Sequence, residues 1–254
     1  MRPLRRSDPL ARPGRGEPND LLVPGLPAVK RVGHKGADHV APGNTIPSFE
    51  AALAHRVDMI EFDVLRTPHG RLVLAHDWDD ASSRECLTLD EGLDHFAGEA
   101  YADVELDVDL KLPGYERDVV EGLRSRGLGE RALVSTTYLE SVERLGDLAP
   151  ELRRGWSVPR AKRDYTRSVL ALPAYAIMRW WRARLPDRAA RLIGSGGCEA
   201  LMAHRLLVSP RLVSAVQGAG GQLYVWTVDD AERIAGLEAL GVDGVITNDP
   251  RLFG

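Results

Sequence analysis

Met59–Leu65 (MIEFDVL) alternates strictly. Ile60, Phe62 and Val64 take one face, and Met59, Glu61, Asp63 and Leu65 take the other. A period of two predicts a strand. The same pattern returns over 104–112, with Val104, Leu106, Val108 and Leu110 opposite Glu105, Asp107, Asp109 and Lys111. Further strands are predicted over 29–33, 71–76 (RLVLAH), 132–136 (ALVST), 153–158 (RRGWSV), 222–228 (QLYVWTV) and 243–250, with a short one within 198–209. Helical spacing fills the gaps over 46–55, 89–97, 117–126, 139–150 and 230–241. Asn44 or Thr45 stands at the N-cap of the first of these helices, and Pro47 falls in its first turn.

Strand and helix thus alternate along most of the chain, which predicts an α/β fold with a parallel sheet. With 254 residues, a single (β/α)8 TIM barrel over 29–254 is expected. Nine strand candidates compete for eight barrel places, so one must lie outside. Residues 1–28, rich in Pro, Arg and Gly and lacking a continuous apolar run, are expected to form a flexible tail.

Composition narrows the class only a little. A hydrophobic content of 44% is that of a globular chain, and a net charge of −4 gives no footprint for nucleic acid, so none is expected as a partner. Cys86 and Cys198 lie far apart without a pairing pattern, so no disulfide framework is expected. No apolar run approaches the ~20 residues of a membrane span, and a cytoplasmic setting is expected.

The chemistry gathers between Val32 and Asp77. Glu61 and Asp63 share one face of a strand, a poor arrangement for a core because buried charges must be paired or must bind metal. A hard divalent cation with oxygen ligands is the natural partner. His34 ends the first predicted strand and His76 ends RLVLAH, so all four side chains are expected near strand C-termini, where an α/β barrel carries its active site. Histidines beside a metal suit proton transfer. These features predict an enzyme.

Five linked pieces of this stretch resemble the glycerophosphodiester phosphodiesterase family. They are His34-Lys35-Gly36, Pro42-Gly43-Asn44-Thr45, Glu61-Phe62-Asp63, Thr67 to Gly70, and His76-Asp77. Later segments are similar too: Asp109-Leu110-Lys111 to the family's E-x-K, Val225–Asp229 to V-W-T-x-[ND], and Gly241–Asn248 to G-V-D-G-[IV]-I-T-[ND]. The resemblance implies hydrolysis of glycerophosphodiesters to an alcohol and glycerol 3-phosphate in lipid metabolism. It implies one divalent cation, Mg2+ or Ca2+, on Glu61, Asp63 and Asp109. It further implies His34 and His76 as the acid–base pair, with Lys35, Asn44 and Lys111 on the phosphate and Trp226 walling the substrate pocket. Which histidine is base and which is acid stays open. The chain departs from the common pattern at Lys35 for arginine, Gly43 for glutamate and Asp109 for glutamate.

Two other readings accompany this one. Asp109 leans toward the phospholipase D toxin-like group, which implies lysophospholipid or sphingolipid substrates. A catalytically dead barrel that only binds phosphodiesters is the reading outside enzymes, and retention of both histidines and all three acids argues against it. Residues 159–193, an insert after RRGWSV as the expected sixth strand, carry nine Arg or Lys against two acids, interleaved with Trp180, Trp181 and aliphatic side chains. Such a basic, aromatic insert suits either peripheral membrane contact or packing on the barrel with a solvated rim.

Overall fold

Among the described residues the expected alternation is realised in nine strands and eight helices. The first half of the chain runs β1 (Lys30–Gly33), α1 (Ile46–Ala54), β2 (Met59–Arg66), β3 (Leu72–Val73), α2 (Trp78–Ser83), α3 (Leu89–Phe96), β4 (Glu105–Leu110) and α4 (Glu116–Ser125). Then follow β5 (Ala132–Thr136), α5 (Leu139–Leu148), β6 (Arg153–Val158), α6 (Ala171–Gly194), β7 (Ala200–His204), α7 (Pro210–Gly218), β8 (Gln222–Trp226), α8 (Ala231–Leu240) and β9 (Gly244–Thr247). The computed structural model describes residues 29–160 and 171–254, with the backbone alone for 171–177. The expected tail over 1–28 and residues 161–170 of the expected insert lie outside the described residues.

Eight strands pair in parallel and close on themselves. The order is β1, β2, β4, β5, β6, β7, β8, β9, with β9 returning to β1. The chain is a single (β/α)8 barrel. Period two then sorts the side chains. Ile60, Phe62 and Val64 of β2 and Leu106, Val108 and Leu110 of β4 face outward into a core shared with Phe49, Leu93 and Leu123 of the surrounding helices. Met59, Val32, Leu133, Met202, Tyr224 and Ile246 face inward and fill the barrel. At roughly 2 kcal/mol per buried large side chain, the outer layer supplies most of the hydrophobic stabilisation.

The ninth strand candidate is RLVLAH. It shrinks to the two residues of β3, which run antiparallel to the end of β2, pairing Leu65 with Val73 and Arg66 with Leu72. The connection explains this correction. Five residues, closed by Thr67 and by Gly70 at φ +84°, can make a hairpin, but a parallel crossover needs a dozen or more. RRGWSV is consequently the fifth barrel strand and not the sixth.

Thr45 caps α1 by accepting from the Ser48 amide. The helix α6 has 24 residues, about 36 Å at 1.5 Å per residue, against at most 10 in the other helices. Met178, Trp181, Leu185, Ala189 and Ile193 form its packed stripe.

Candidate active site

Three carboxylates meet above the inner face of β2 and β4. In-register pairing sets Glu61 beside Asp107 and Asp63 beside Asp109. One oxygen each of Glu61, Asp63 and Asp109 lies within 4.8 Å of the others. Lys111, two residues beyond Asp109 on the same face, is ion-paired to Asp63 and sits 2.5 Å from Asp109 Oδ2. Burial works to raise the Asp63 pKa, but the Lys111 ammonium prevails and holds that carboxyl below the usual carboxylate range. Glu61 moves the other way, raised by burial and by the charge of Asp63. Burial opposes the Lys111 charge, yet Asp109 and Asp63 hold the ammonium protonated well above its ordinary range.

His34 stands at the mouth of β1, its Nε2 3.8 Å from Glu61 Oε2. Its Nδ1 lies 2.5 Å from Asn248 Oδ1. The Asn248 amide nitrogen donates to Asp229 Oδ2 at 2.7 Å, so its Oδ1 must accept. The proton therefore sits on Nδ1, and Nε2 carries the lone pair. Burial lowers the His34 pKa to about 4, against the opposing pull of Asp63, so the ring is neutral at pH 7.

His76 follows β3, so the hairpin and not a barrel strand delivers it, which corrects the expectation of four successive strand ends. Its side chain is half exposed at the rim, with Nδ1 3.1 Å from Asp77 Oδ2, while its amide donates to Asp80. Both histidines line one open cavity of about 650 Å³, together with Glu61, Asp109, Lys111 and Trp226. Trp226 stands edge-on to His204, with ring centroids 5.2 Å apart.

Lys35 and Asn44 are placed differently from the expectation. The Lys35 ammonium lies 2.6 Å from Asp38 Oδ2, and the residue contributes to the site through its backbone amide, which donates to Glu61 Oε2 at 2.8 Å. Asn44 is fully buried and grips Asp63 from both sides, donating from Nδ2 to Oδ2 at 2.8 Å and accepting from the Asp63 amide at 3.0 Å. Neither side chain lines the cavity.

Gly43 leaves no room for a carboxylate. A Cβ there would meet Asp38 Oδ1 at 2.6 Å and Lys35 Cβ at 2.8 Å. Asp107, on the charged face of the 104–112 strand, is a buried wall of the cavity. Burial and the neighbouring Asp109 push its pKa up to about 8. Glu105 lies at the low end, paired with Lys30 and Arg153 at the strand starts.

Asn248 and Asp229 were not assigned from the sequence. The signal was there, since each closes one of the two late family-like elements. The donor set fits a hard cation. It offers three carboxylates and no sulfur, and Asp109 Oδ1 is buried without a hydrogen bond.

Comparison with known proteins agrees with this geometry. The model of the glycerophosphoryl diester phosphodiesterase family matches residues 34–91 and 82–252. A glycerophosphodiester phosphodiesterase of Caldanaerobacter subterraneus subsp. tengcongensis is 25% identical over 251 residues, covering 86% of this chain and 93% of the relative. A putative one from Bacillus subtilis is 26% identical over 249 residues, covering 86% and 94%. Among solved structures, a putative glycerophosphoryl diester phosphodiesterase from Silicibacter pomeroyi superposes with a TM-score of 0.70 at 21% identity, over 90% of this chain and 92% of that one. A phosphodiesterase from Oleispira antarctica, solved with its product sn-glycerol-3-phosphate, gives 0.63 at 22% identity over 89% and 94%.

Proposed function

The chain belongs to the glycerophosphoryl diester phosphodiesterase family and is a phosphoric diester hydrolase, and from that membership we propose that it cleaves glycerophosphodiesters to an alcohol and glycerol 3-phosphate. The observation that carries this reading is the meeting of His34 and His76 with Glu61 and Asp109 in one cavity, an oxygen of the buried Asp63 within 4.8 Å of both carboxylates, at the end of the barrel where such sites lie. Glu61, Asp63 and Asp109 would hold a divalent cation, Mg2+ or Ca2+. Bound there, the ion would neutralise the phosphate and polarise it.

The chain's own groups do the rest. His34, neutral and held by Asn248, accepts through Nε2 the proton of the attacking hydroxyl, either of water directly or of the neighbouring glycerol carbon, whose cyclic phosphate water then opens. His76, at the open rim beside Asp77, gives a proton to the departing alcohol oxygen. Lys111 sits where an ammonium can stabilise charge developing on the phosphate oxygens. Asn44 and the Lys35 amide keep Asp63 and Glu61 aimed. His34→Ala and His76→Ala should each lose ~10²–10⁴-fold in turnover of glycerophosphocholine while keeping the wild-type circular dichroism spectrum. Near-wild-type turnover in either variant would remove that histidine from the reaction.

A lysophospholipid substrate is a second reading, favoured by the apolar rim that Leu65, Leu112 and the exposed Trp78 give the cavity. Peripheral membrane contact through α6 belongs with it.

A further inference from the structure

Among the described residues that line the cavity, two carry a permanent positive charge, Lys111 and Arg160. Lys111, paired with Asp63 and Asp109, serves the phosphate at the reacting end. Lys35, the other cation of the site, is paired with Asp38 and lies outside the cavity. Arg160 forms no ion pair with any described carboxylate. Its guanidinium carbon lies 4.0 Å from the centroid of the Tyr138 ring. Stacking covers the face of a guanidinium and leaves its edge, where the N–H groups point, open to an acceptor.

The strand order fixes where this arginine stands. The reacting groups come from β1, β2 and β4, whereas Arg160 follows β6, which lies four strands from β1 in a ring of eight. Arg160 is therefore across the mouth from His34 and out of line with a phosphorus held over the carboxylates. One arm of the diester can reach it. The glycerol arm is neutral and gives an arginine no charge to bind. On the β2 side the rim carries Asp77 and Asp79, which repel a negative arm and leave the Arg160 side for it. Over the Tyr138 ring the Arg160 charge repels a quaternary ammonium.

We propose that Arg160, seated over the Tyr138 ring, is a specificity residue that binds an anionic group, phosphate or carboxylate, carried by the departing alcohol. The proposal rests on the phosphodiesterase reading above and adds the class of alcohol to it. A charge-assisted hydrogen bond at a partly exposed rim is worth about a factor of ten in affinity.

The test is steady-state kinetics of the full chain on two soluble diesters, glycerophosphoinositol 4-phosphate and glycerophosphocholine, for wild type, Arg160→Gln and Arg160→Lys. In Arg160→Gln the ratio of kcat/KM for the anionic diester over the choline diester should fall about tenfold, through KM and not kcat. Arg160→Lys should recover part of the ratio, because the charge returns without the planar fork. An unchanged ratio in Arg160→Gln, whether both diesters stay level or fall together, would overturn the proposal and leave the phosphodiesterase reading intact. Failure of wild type to turn over either diester would overturn both.

Discussion

Asp107 shows how much one carboxyl can be bent by its place in the barrel. It faces inward on β4 with Asp109 two residues on, and one of its oxygens is buried without a hydrogen bond. Burial and Asp109 raise its pKa to about 8, while in the unfolded chain it titrates near 3.9. Between those values the folded protein binds the extra proton, so Asp107 makes stability fall as pH rises from about 4 to 8. Asparagine at this position does not titrate. With EDTA present, the stability of Asp107→Asn relative to wild type should therefore increase from pH 5 to pH 8, by about 2 kcal/mol or more in urea unfolding. The same difference at both pH values would mean that Asp107 is ionised throughout.

Residue roles were legible in the sequence only where spacing fixes direction. Glu61, Asp63, Asp109 and Lys111 share the inner face because period two leaves no other choice. Asn44 and Lys35 lie in a loop, where φ values of +58° and +51° turn the chain in ways no periodicity encodes. Asn248 and Asp229 act through a hydrogen-bond relay that closes only when β8 and β9 come round to β1.

At the scale of elements, the hairpin carrying His76 was open to the right reading. Four residues between β2 and RLVLAH exclude a parallel crossover, so the antiparallel pairing follows from loop length alone. For α6, sequence left membrane contact and packing on the barrel side by side. The described side chains of the helix separate into a packed face and an exposed one. Trp181 leans on Trp156 with ring centroids 6.3 Å apart, and Arg188 covers both rings. Trp180 points away, half exposed, with Arg184 4.9 Å over its ring and Arg179 and Arg182 exposed beside it. The expected contributions of Lys162, Arg163 and Arg167 lie outside the described residues. A single exposed Trp among arginines suits an anionic lipid surface. Wild type should therefore co-sediment with phosphatidylserine-rich vesicles at low salt, and Trp180→Ala should do so several-fold less. Trp181→Ala is unsuitable for this purpose, since it would open the core. Equal sedimentation of wild type and Trp180→Ala would reduce the outer face of α6 to a solvated rim.

For the whole molecule, closure of the sheet is what makes a site. Among the described residues no helix is long and apolar enough to cross a membrane, and the barrel builds its chemistry from strand ends and the loops above them. The architecture was readable because strand and helix alternate at the lengths a (β/α)8 barrel uses. The count was not, because a two-residue strand outside the barrel has the same local pattern as one inside it. Phosphorus NMR of glycerophosphocholine incubated with the full chain tests the central claim most directly. The diester resonance should convert to that of glycerol 3-phosphate when Mg2+ or Ca2+ is present and should persist when EDTA is added first. Conversion to phosphocholine, or conversion undiminished by EDTA, would contradict the account.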